Sequence, residues 1–566
     1  MLRSRREVAS ECAMVLSRRA FNASLLLTAA TVALRAAPAS AARADDPDRA
    51  FLGRLTFGPT PEDLDHLAAI GRDAWLDEQF ALPARPEAWL ARQRDMQVRI
   101  EYEADDDGEG HSWPAVNELR PLSYVDAPPD AVLPLIDWET PMPYAERARP
   151  ADEVLALSLA RAVHTPAQLR EVMTQFWHDH FNVHSQKDEY CACFFPAYDA
   201  MLREHALGNF RALLGQVARA PAMLFYLNND ASRASPANEN FARELLELHT
   251  LGAGNYLNDR HARWSDVPGA TEGLAEGYID EDVFEVARAF TGWTVGDGRW
   301  IAEGVEAPRT GLFHYAEGWH DPYQKRILGR EFPPNRAALA DGEDVLDMLA
   351  AHPGTARFVC GKIARRLLAD DPDPALVDRL AAVFLAQQGR ADQIARVVRA
   401  LVDDPAFAAP PGKLRRPFEY LAALYRATGV RVAPQGGDPY WQLSRAGWMQ
   451  HSFPPPTGHP DRSEDWTSST VILRMVDFAT TAHDDWFGGT RDRLSDHLPD
   501  GLADLRALAD HWAARLTGGP FEGLEDLLGE WDAAPDDPLP ESADERHDLS
   551  AALIAFAALT PSVFYR

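Results

Sequence analysis

The sequence predicts an all-α fold, a large multi-helix globular protein with long ordered loops. Three observations support this prediction. Helix start signals recur, as at residues 60–63, where a capping threonine precedes a proline and two acids. Apolar residues then follow at near-helical spacing, as at Leu64, Leu67 and Trp75. Strand signals are few, so helices packed on helices are the expected architecture.

The helical pattern is interrupted in three places. Residues 101–152 carry an acidic run and many prolines, and we expect a long surface excursion there. Residues 295–340 and 431–468 are rich in glycine, proline and aromatic residues and lack a helical period. The remaining segments predicted to contain helices are 153–227, 238–251, 280–291, 343–428, 469–484 and 502–566.

The chain has 566 residues, more than one hydrophobic core usually serves. We therefore expect two packed helical subdomains. The N-terminal one, residues 48–300, carries the histidine and glutamate motifs described below. The C-terminal one covers residues 301–566.

The N-terminal residues have the pattern of an export signal. The pair Arg18-Arg19 precedes an apolar run at 23–34 and a small-residue stretch at 39–41. The apolar run is shorter than the roughly 20 residues that a membrane span needs. This pattern predicts a twin-arginine signal peptide at 1–41 and a periplasmic or secreted protein that folds before export. A chance arginine pair is the alternative, and translation could start at Met1 or Met14.

Charge and cysteine content limit the function classes. The 86 acidic residues outnumber the 56 lysines and arginines, which gives a formal charge of −30. Such a surface repels phosphate backbones and argues against nucleic-acid binding. We expect no membrane span after signal cleavage. Cys191, Cys193 and Cys360 remain, and a disulfide from Cys360 to either of the others is left open.

A histidine motif lies at residues 176–184. On a helix, His180 and His184 are one turn apart, so their rings can converge on one divalent or transition metal ion. His178 would point to the opposite side. The alternative is a pair of core-edge histidines bonded to backbone carbonyls.

A glutamate-rich helix is predicted to start at Asn238, which is a good N-cap residue. The polar residues of this helix fall on one arc and are candidates for catalysis or for contact with a substrate. The arc consists of Glu239, Asn240, Arg243, Glu244 and Glu247. Carboxylates from one helix that face histidines from another form the metal sites of helical proteins. The alternative is a solvated face with salt bridges at helical spacing.

Two weaker clusters complete the candidates. Cys191 and Cys193 follow the histidine motif closely, and thiolates with imidazoles suit zinc or copper. His320 and Asp321, followed by Lys325, lie in a predicted loop. The sequence contains no Gly-x-Ser-x-Gly elbow, phosphate-binding loop, dinucleotide fingerprint or Cys-x-x-Cys-His haem attachment motif.

The motifs resemble the bacterial family called domain of unknown function 1800. The most distinctive string is Asn238-Glu239-Asn240-Phe241-Ala242-Arg243-Glu244-Leu245-Leu246-Glu247-Leu248. The other segments that carry the resemblance are residues 51–60, 75–79, 176–181, 208–211, 287–293, 320–325 and 560–566. Two features depart from the family pattern: an insertion at 257–277, and the Cys191–Cys193 pair.

The resemblance implies an exported bacterial protein of uncharacterised activity. Family members are often encoded beside an exported family that looks like a sulfatase or phosphatase relative. This association suggests a sulfatase-like partner and a shared envelope or extracellular task on polysaccharide.

Two main functions follow as hypotheses. The first is a metal-dependent enzyme, a hydrolase or an oxidoreductase, with His180 and His184 as ligands and Glu244 and Glu247 as catalytic carboxylates. In this metal-enzyme hypothesis, five further residues position the metal ligands or contact the substrate: Glu239, Asn240, Arg243, His320 and Asp321. The second is a non-catalytic helical scaffold that binds a glycan or a partner protein. A haem protein that uses His180 or His249 is a third reading.

Overall fold

The computed structural model describes residues 46–106, 111–433 and 439–566. The predicted signal peptide, residues 1–41, lies outside these residues. The described chain is mostly helical with only small strand pairs. None of its helices has both the length and the hydropathy needed to cross a membrane.

The α-helices occur along the whole described chain. They are α1 (Pro47–Leu55), α2 (Pro61–Ile70), α3 (Arg72–Ala81), α4 (Glu87–Gln93), α5 (Tyr144–His164), α6 (Gln168–His180), α7 (Glu189–His205), α8 (Phe210–Arg219), α9 (Pro221–Tyr226), α10 (Glu239–Glu244), α11 (Asp280–Ala289), α12 (Ala340–Ala350), α13 (Pro353–Leu367), α14 (Pro374–Ala386), α15 (Gln393–Val402), α16 (Pro417–Thr428), α17 (Pro439–Arg445), α18 (Ser469–Thr480), α19 (Asp485–Gly488), α20 (Leu505–Thr517), α21 (Leu524–Gly529), α22 (Ala543–Ala558) and α23 (Pro561–Phe564). A π-helical turn, Leu245–Thr250, continues α10.

Short antiparallel strand pairs occupy two of the stretches that lack a helical period. The first stretch contains β1 (Gln97–Tyr102), β2 (Asp105–Asp106), β3 (Ser112–Trp113) and β4 (Val116–Pro121). The second contains β5 (Trp293–Asp297), β6 (Trp300–Ala302), β7 (Val305–Glu306), β8 (Arg309–Tyr315), β9 (Lys325–Ile327) and β10 (Arg330–Phe332). Strand β1 pairs with β4, and β5 with β8. The stretch predicted as a surface excursion at 101–152 therefore contains part of an antiparallel strand pair, β1 with β4. Val98 and Ile100 of β1 pack against Ala156.

Helix α5 begins nine residues earlier than the sequence pattern predicts. It starts at Tyr144 and runs through Pro150, which lies in its second turn. Pro150 is the seventh residue of α5, so it removes one intrahelical hydrogen bond and the helix continues through it. Pro143 stands at the N-cap and Pro150 inside the helix, although both favoured a loop in the sequence pattern.

One contiguous cluster of buried apolar residues extends from Phe51 to Val563 and includes both halves of the chain. Polar contacts also join distant segments. The Arg54 guanidinium donates to the Ala409 carbonyl at 2.7 Å, and Arg566 donates to the Arg54 carbonyl at 3.2 Å. The division into subdomains at residue 300 remains a prediction.

A buried ion network joins α13, α16 and the last described residue. The Glu419 carboxylate contacts the guanidinium groups of Arg366, Arg416 and Arg566. Arg416 also contacts Asp179 of α6 at 2.8 Å. These arginines hold the pKa of Glu419 well below its usual range, although burial opposes them. Glu419 thus stays charged in the interior.

Replacing Glu419 by glutamine should strongly destabilise the protein. The change removes the negative charge that neutralises three buried arginines, and breaking a buried ion pair costs about 3–5 kcal/mol of unfolding free energy. Urea unfolding measures this change. The control is Glu525→Gln, which removes an exposed carboxylate beside Arg506. Equal midpoints for the two variants would contradict a stabilising role for the network.

Candidate active site

The glutamate helix, α10, begins directly after Asn238, as the sequence predicts. The Asn238 side chain caps α10 by accepting a hydrogen bond from the Asn240 amide at 2.9 Å. Phe241 and Ala242 are buried on one side, while Glu239 and Asn240 are exposed on the other. The following π-turn changes the backbone period after Glu244. Single π-turns within α-helices are frequent at functional sites.

Glu244 and Glu247 differ from the other acidic residues of this helix. Both side chains are half-buried. Within the described part of the chain, no hydrogen bond or ion pair is formed by either carboxylate. Burial, helped by the charge of Glu247, raises the pKa of Glu244 to about 7, although Arg243 opposes the shift. Glu244 therefore exchanges a proton near neutral pH.

Two tyrosines lie beside this carboxylate pair. The Tyr278 side chain is fully buried, and its hydroxyl has no hydrogen-bond partner among the described residues. Burial and the charge of Glu247 raise the pKa of Tyr278. The Tyr226 hydroxyl donates to the Pro454 carbonyl at 2.7 Å, and burial raises its pKa, with Glu244 contributing. Both phenols are therefore neutral hydrogen-bond donors near the pair.

The remaining predicted residues of this helix turn away from the pair. Arg243 lies 3.4 Å from Asp280 and 4.0 Å from Glu239. The Asn240 side chain donates to the Leu227 carbonyl at 3.2 Å. Arg243 is therefore shared with other carboxylates and does not pair with Glu244 or Glu247.

The two predicted histidine ligands do not share a helix face. Helix α6 ends at His180, so the helical spacing assumed for His180 and His184 is wrong. His180 is buried and its Nε2 lies 3.1 Å from the His249 carbonyl, while its Nδ1 has no partner among the described atoms. Burial lowers the pKa of His180, with Lys362 and His249 adding to this effect. His184 lies in the following loop, where it accepts from the Gln186 amide at 3.2 Å.

His320 and Asp321 lie in a closed ion network. Arg288 contacts both oxygens of Asp321, at 2.7 and 3.1 Å. His320 lies 3.3 Å from Asp341, and Lys325 donates to the same carboxylate at 2.7 Å. The network joins α11, β9 and α12. The charged side chains of this network are therefore already paired with one another, as is typical of ion pairs that stabilise a fold.

The sequence interpretation missed a cluster formed by His178, Asp199 and His451, whose ligand-type atoms lie within 4.8 Å of one another. His178 donates to Asp199 at 3.0 Å. Asp199 also contacts Arg161 at 2.6 Å and Arg203 at 3.1 Å, so its charge is already neutralised. A cation would have to displace these arginines. Only the prediction that His178 points away from His180 and His184 hinted at this cluster.

A small polar cavity of about 10 Å³ adjoins the cluster, between α6 and the proline-rich loop. This volume holds about one water molecule. Asp179 borders it and contacts His459 at 3.1 Å, while Arg416 holds the pKa of Asp179 well below its usual range. The cavity is too small for a substrate, so we do not place the active site there.

The three described cysteines are free and buried. Burial raises the pKa of the Cys193 thiol to about 12 and also raises the pKa of Cys191 and Cys360. The Cys193 thiol lies 3.5 Å from the Arg147 carbonyl. The thiols are therefore protonated and packed as apolar groups, which argues against a thiolate metal site.

Replacing Glu244 by glutamine should stabilise the protein at pH 8. The carboxyl releases its proton near pH 4.5 when unfolded and near pH 7 when folded, so stability falls as pH rises through this window. After discounting for solvent screening, the gain from the neutral amide is about 1–2 kcal/mol at pH 8 and absent at pH 4. Urea unfolding at both pH values measures the difference.

The matched control is Glu281→Gln, which changes an exposed glutamate at the start of α11. It should change the unfolding free energy at pH 8 by no more than about 0.5 kcal/mol, as is usual for an exposed residue. Destabilisation by Glu244→Gln at pH 8 would contradict this account and would indicate a structural role for the carboxylate.

Comparison with known proteins places this site within a family. A family model described as a protein of unknown function, DUF1800, matches residues 50–561. No curated protein and no solved structure matches the chain. The match covers α10, the π-turn and nearly all of the described residues. The chain therefore belongs to the DUF1800 family.

Proposed function

We propose that this protein is a hydrolytic enzyme in which Glu244 and Glu247 form a coupled carboxylate pair that binds a divalent cation. One observation carries the proposal: the two half-buried carboxylates have no partner within the described chain. The buried Asp199, Asp321 and Glu419 carboxylates, in contrast, contact arginines. A pair left without such compensation is typical of a site that binds something else.

Glu244 is the acid–base residue in this proposal. Without a cation the pKa of Glu244 is about 7; a cation held beside it by Glu247 would lower this pKa, so that Glu244 is ionised at neutral pH and acts as a general base. Glu247 is the second carboxylate of the pair. The unpartnered hydroxyl of Tyr278 offers a hydrogen bond to an oxygen that becomes negative during the reaction.

The donor set favours a hard cation. Two adjacent carboxylates repel each other unless a proton or a cation neutralises them. Carboxylate and phenol oxygens suit Mg²⁺, Ca²⁺ or Mn²⁺ better than zinc or copper. Such a cation would polarise a substrate oxygen or a water molecule. Because these cations favour hydrolysis over electron transfer, we prefer a hydrolase to an oxidoreductase.

The cellular setting is proposed on the N-terminal sequence and the family resemblance. The arginine pair at 18–19 and the apolar run that follows support twin-arginine export to the periplasm or the outside of the cell. A polysaccharide substrate and a sulfatase-like partner are proposed from the resemblance alone.

A non-catalytic scaffold is the second candidate, and a separate observation favours it. The His178–Asp199 and His320–Asp341 clusters are saturated with ion pairs and hydrogen bonds, as expected of networks that fix helix packing. The behaviour of Glu244 distinguishes the two candidates, since a scaffold would lose stability when this residue is changed.

The wild-type protein should bind one Mn²⁺ or Ca²⁺ ion per chain at pH 8. Glu244→Gln and Glu247→Gln should each lower the affinity at least about tenfold, because each removes one charged ligand. Isothermal titration calorimetry measures binding, and elemental analysis of protein purified without chelator identifies the ion. Glu281→Gln should bind as the wild type does. Failure of Mg²⁺, Ca²⁺ and Mn²⁺ to bind would remove the cation from the proposal.

Hydrolytic activity should depend on the protonation of Glu244. We expect Glu244→Gln to lower kcat about 10²–10⁴-fold, the usual contribution of a general acid or base. It should also remove the acidic limb of the pH–rate profile, which a bound cation would shift below pH 7. Reducing ends released from oligosaccharides measure the rate, with Glu281→Gln as control. Full activity of Glu244→Gln would refute the catalytic assignment.

A further inference from the structure

An open groove of about 470 Å³ lies at the N-terminal end of the glutamate helix. It is lined by residues 231–239, including Arg233, Pro236 and Glu239. Its volume is within the range of small-molecule binding sites. Glu239 lines the groove, and Glu244 follows five residues later on α10, about 7–8 Å further along the helix axis. The groove therefore lies near the carboxylate pair along the helix axis, while Glu244 points about 140° around the helix from Glu239.

The loop that forms the groove is held in shape by hydrogen bonds to two neighbouring segments and by one bond within the loop. The Ala234 amide donates to the Trp319 carbonyl at 2.8 Å, and the Asn238 amide donates to the Ser232 hydroxyl at 3.1 Å. The Thr294 hydroxyl donates to the Asp230 carbonyl at 2.6 Å. Such a preformed surface loses little entropy on binding.

Arg233 is an exposed cation held in one position by an aromatic ring. Its guanidinium carbon lies 3.9 Å from the centre of the Trp319 ring and 5.9 Å from the Trp300 ring. Within the described residues its guanidinium forms no hydrogen bond and no ion pair, although acidic residues outnumber basic ones in the whole chain. Its donors are therefore free for a ligand and already oriented.

Trp300 supplies an exposed aromatic face next to Arg233. The residue is 57% exposed on the short strand β6. By contrast, Trp319 is buried and its indole N–H donates to the Ile301 carbonyl at 2.9 Å. The groove lining therefore contains the Arg233 guanidinium, Pro236 and the Glu239 carboxylate, and the exposed face of Trp300 lies beside Arg233.

We infer that this groove binds an uncharged glycan chain. Sugar rings have apolar C–H faces that pack on tryptophan and hydroxyl groups that bond to guanidinium and carboxylate groups. The Glu239 charge and the formal charge of −30 disfavour an acidic polymer. The inference narrows the proposed polysaccharide substrate to an uncharged glycan and gives it a binding surface, and its catalytic meaning rests on the proposed function.

Binding can be tested without turnover. The full protein carrying Glu244→Gln is titrated by calorimetry with malto-, cello-, laminari-, xylo-, manno- and chitohexaose. We expect at least one of them to bind. Adding Trp300→Ala or Arg233→Ala should then weaken that binding about tenfold or more, since each removes one face of the groove.

The matched controls are Trp441→Ala and Arg445→Ala. Trp441 is 50% exposed, and the Arg445 guanidinium lies 4.5 Å from its ring centre, so this pair repeats the Trp300–Arg233 arrangement elsewhere on the surface. Both controls should keep the affinity within about twofold. Circular dichroism melting checks that all four variants are folded.

The outcomes separate this inference from the proposed function. If none of the six hexasaccharides binds, if Trp300→Ala has no effect, or if polygalacturonate binds more tightly than all six, the inference is overturned. If a hexasaccharide binds through Trp300 but Glu244→Gln hydrolyses it at the wild-type rate, the groove stands and the catalytic assignment fails.

Discussion

The neutralisation of buried charge is the constraint on which much of this structure depends. A carboxylate taken out of water is tolerated only with a cation, a proton or several hydrogen bonds. At Glu419, Asp199 and Asp321 the compensation comes from arginines on other elements, so each carboxylate also joins segments distant in sequence. Glu244 and Glu247 lack this compensation. That contrast, more than the acidity of the helix, makes them the candidate site.

Much of the helical architecture could be predicted from the sequence, because capping residues and apolar spacing act locally. The cap at Thr60 and the start of α10 after Asn238 are confirmed. The strand pairs at 97–121 and 293–332 were not predicted, since each strand is short and its partner is distant or irregular. The start of α5 was missed because Pro150 is tolerated in its second turn.

The candidate site was predictable only in part. The string around Glu244 identified the helix, but spacing alone could not show which of its acids lack partners. The end of α6 at His180 removed the assumed convergence with His184, and a helix end is among the least certain features of a sequence pattern. The His178–His451 contact joins residues 273 positions apart by number, and no local signal predicts such a contact.

The first described helix has a consequence for how the protein is made. Helix α1 is held by carbonyls of residues 409, 515 and 516, and the carbonyl of its Arg54 accepts from Arg566. On a ribosome these partners emerge hundreds of residues after α1 does. Phe51 of α1 packs on Trp75, so the apolar side of the helix can be covered early, whereas its polar side is fixed only once the C-terminal segment is in place. Completion of the fold is thus a late event in synthesis.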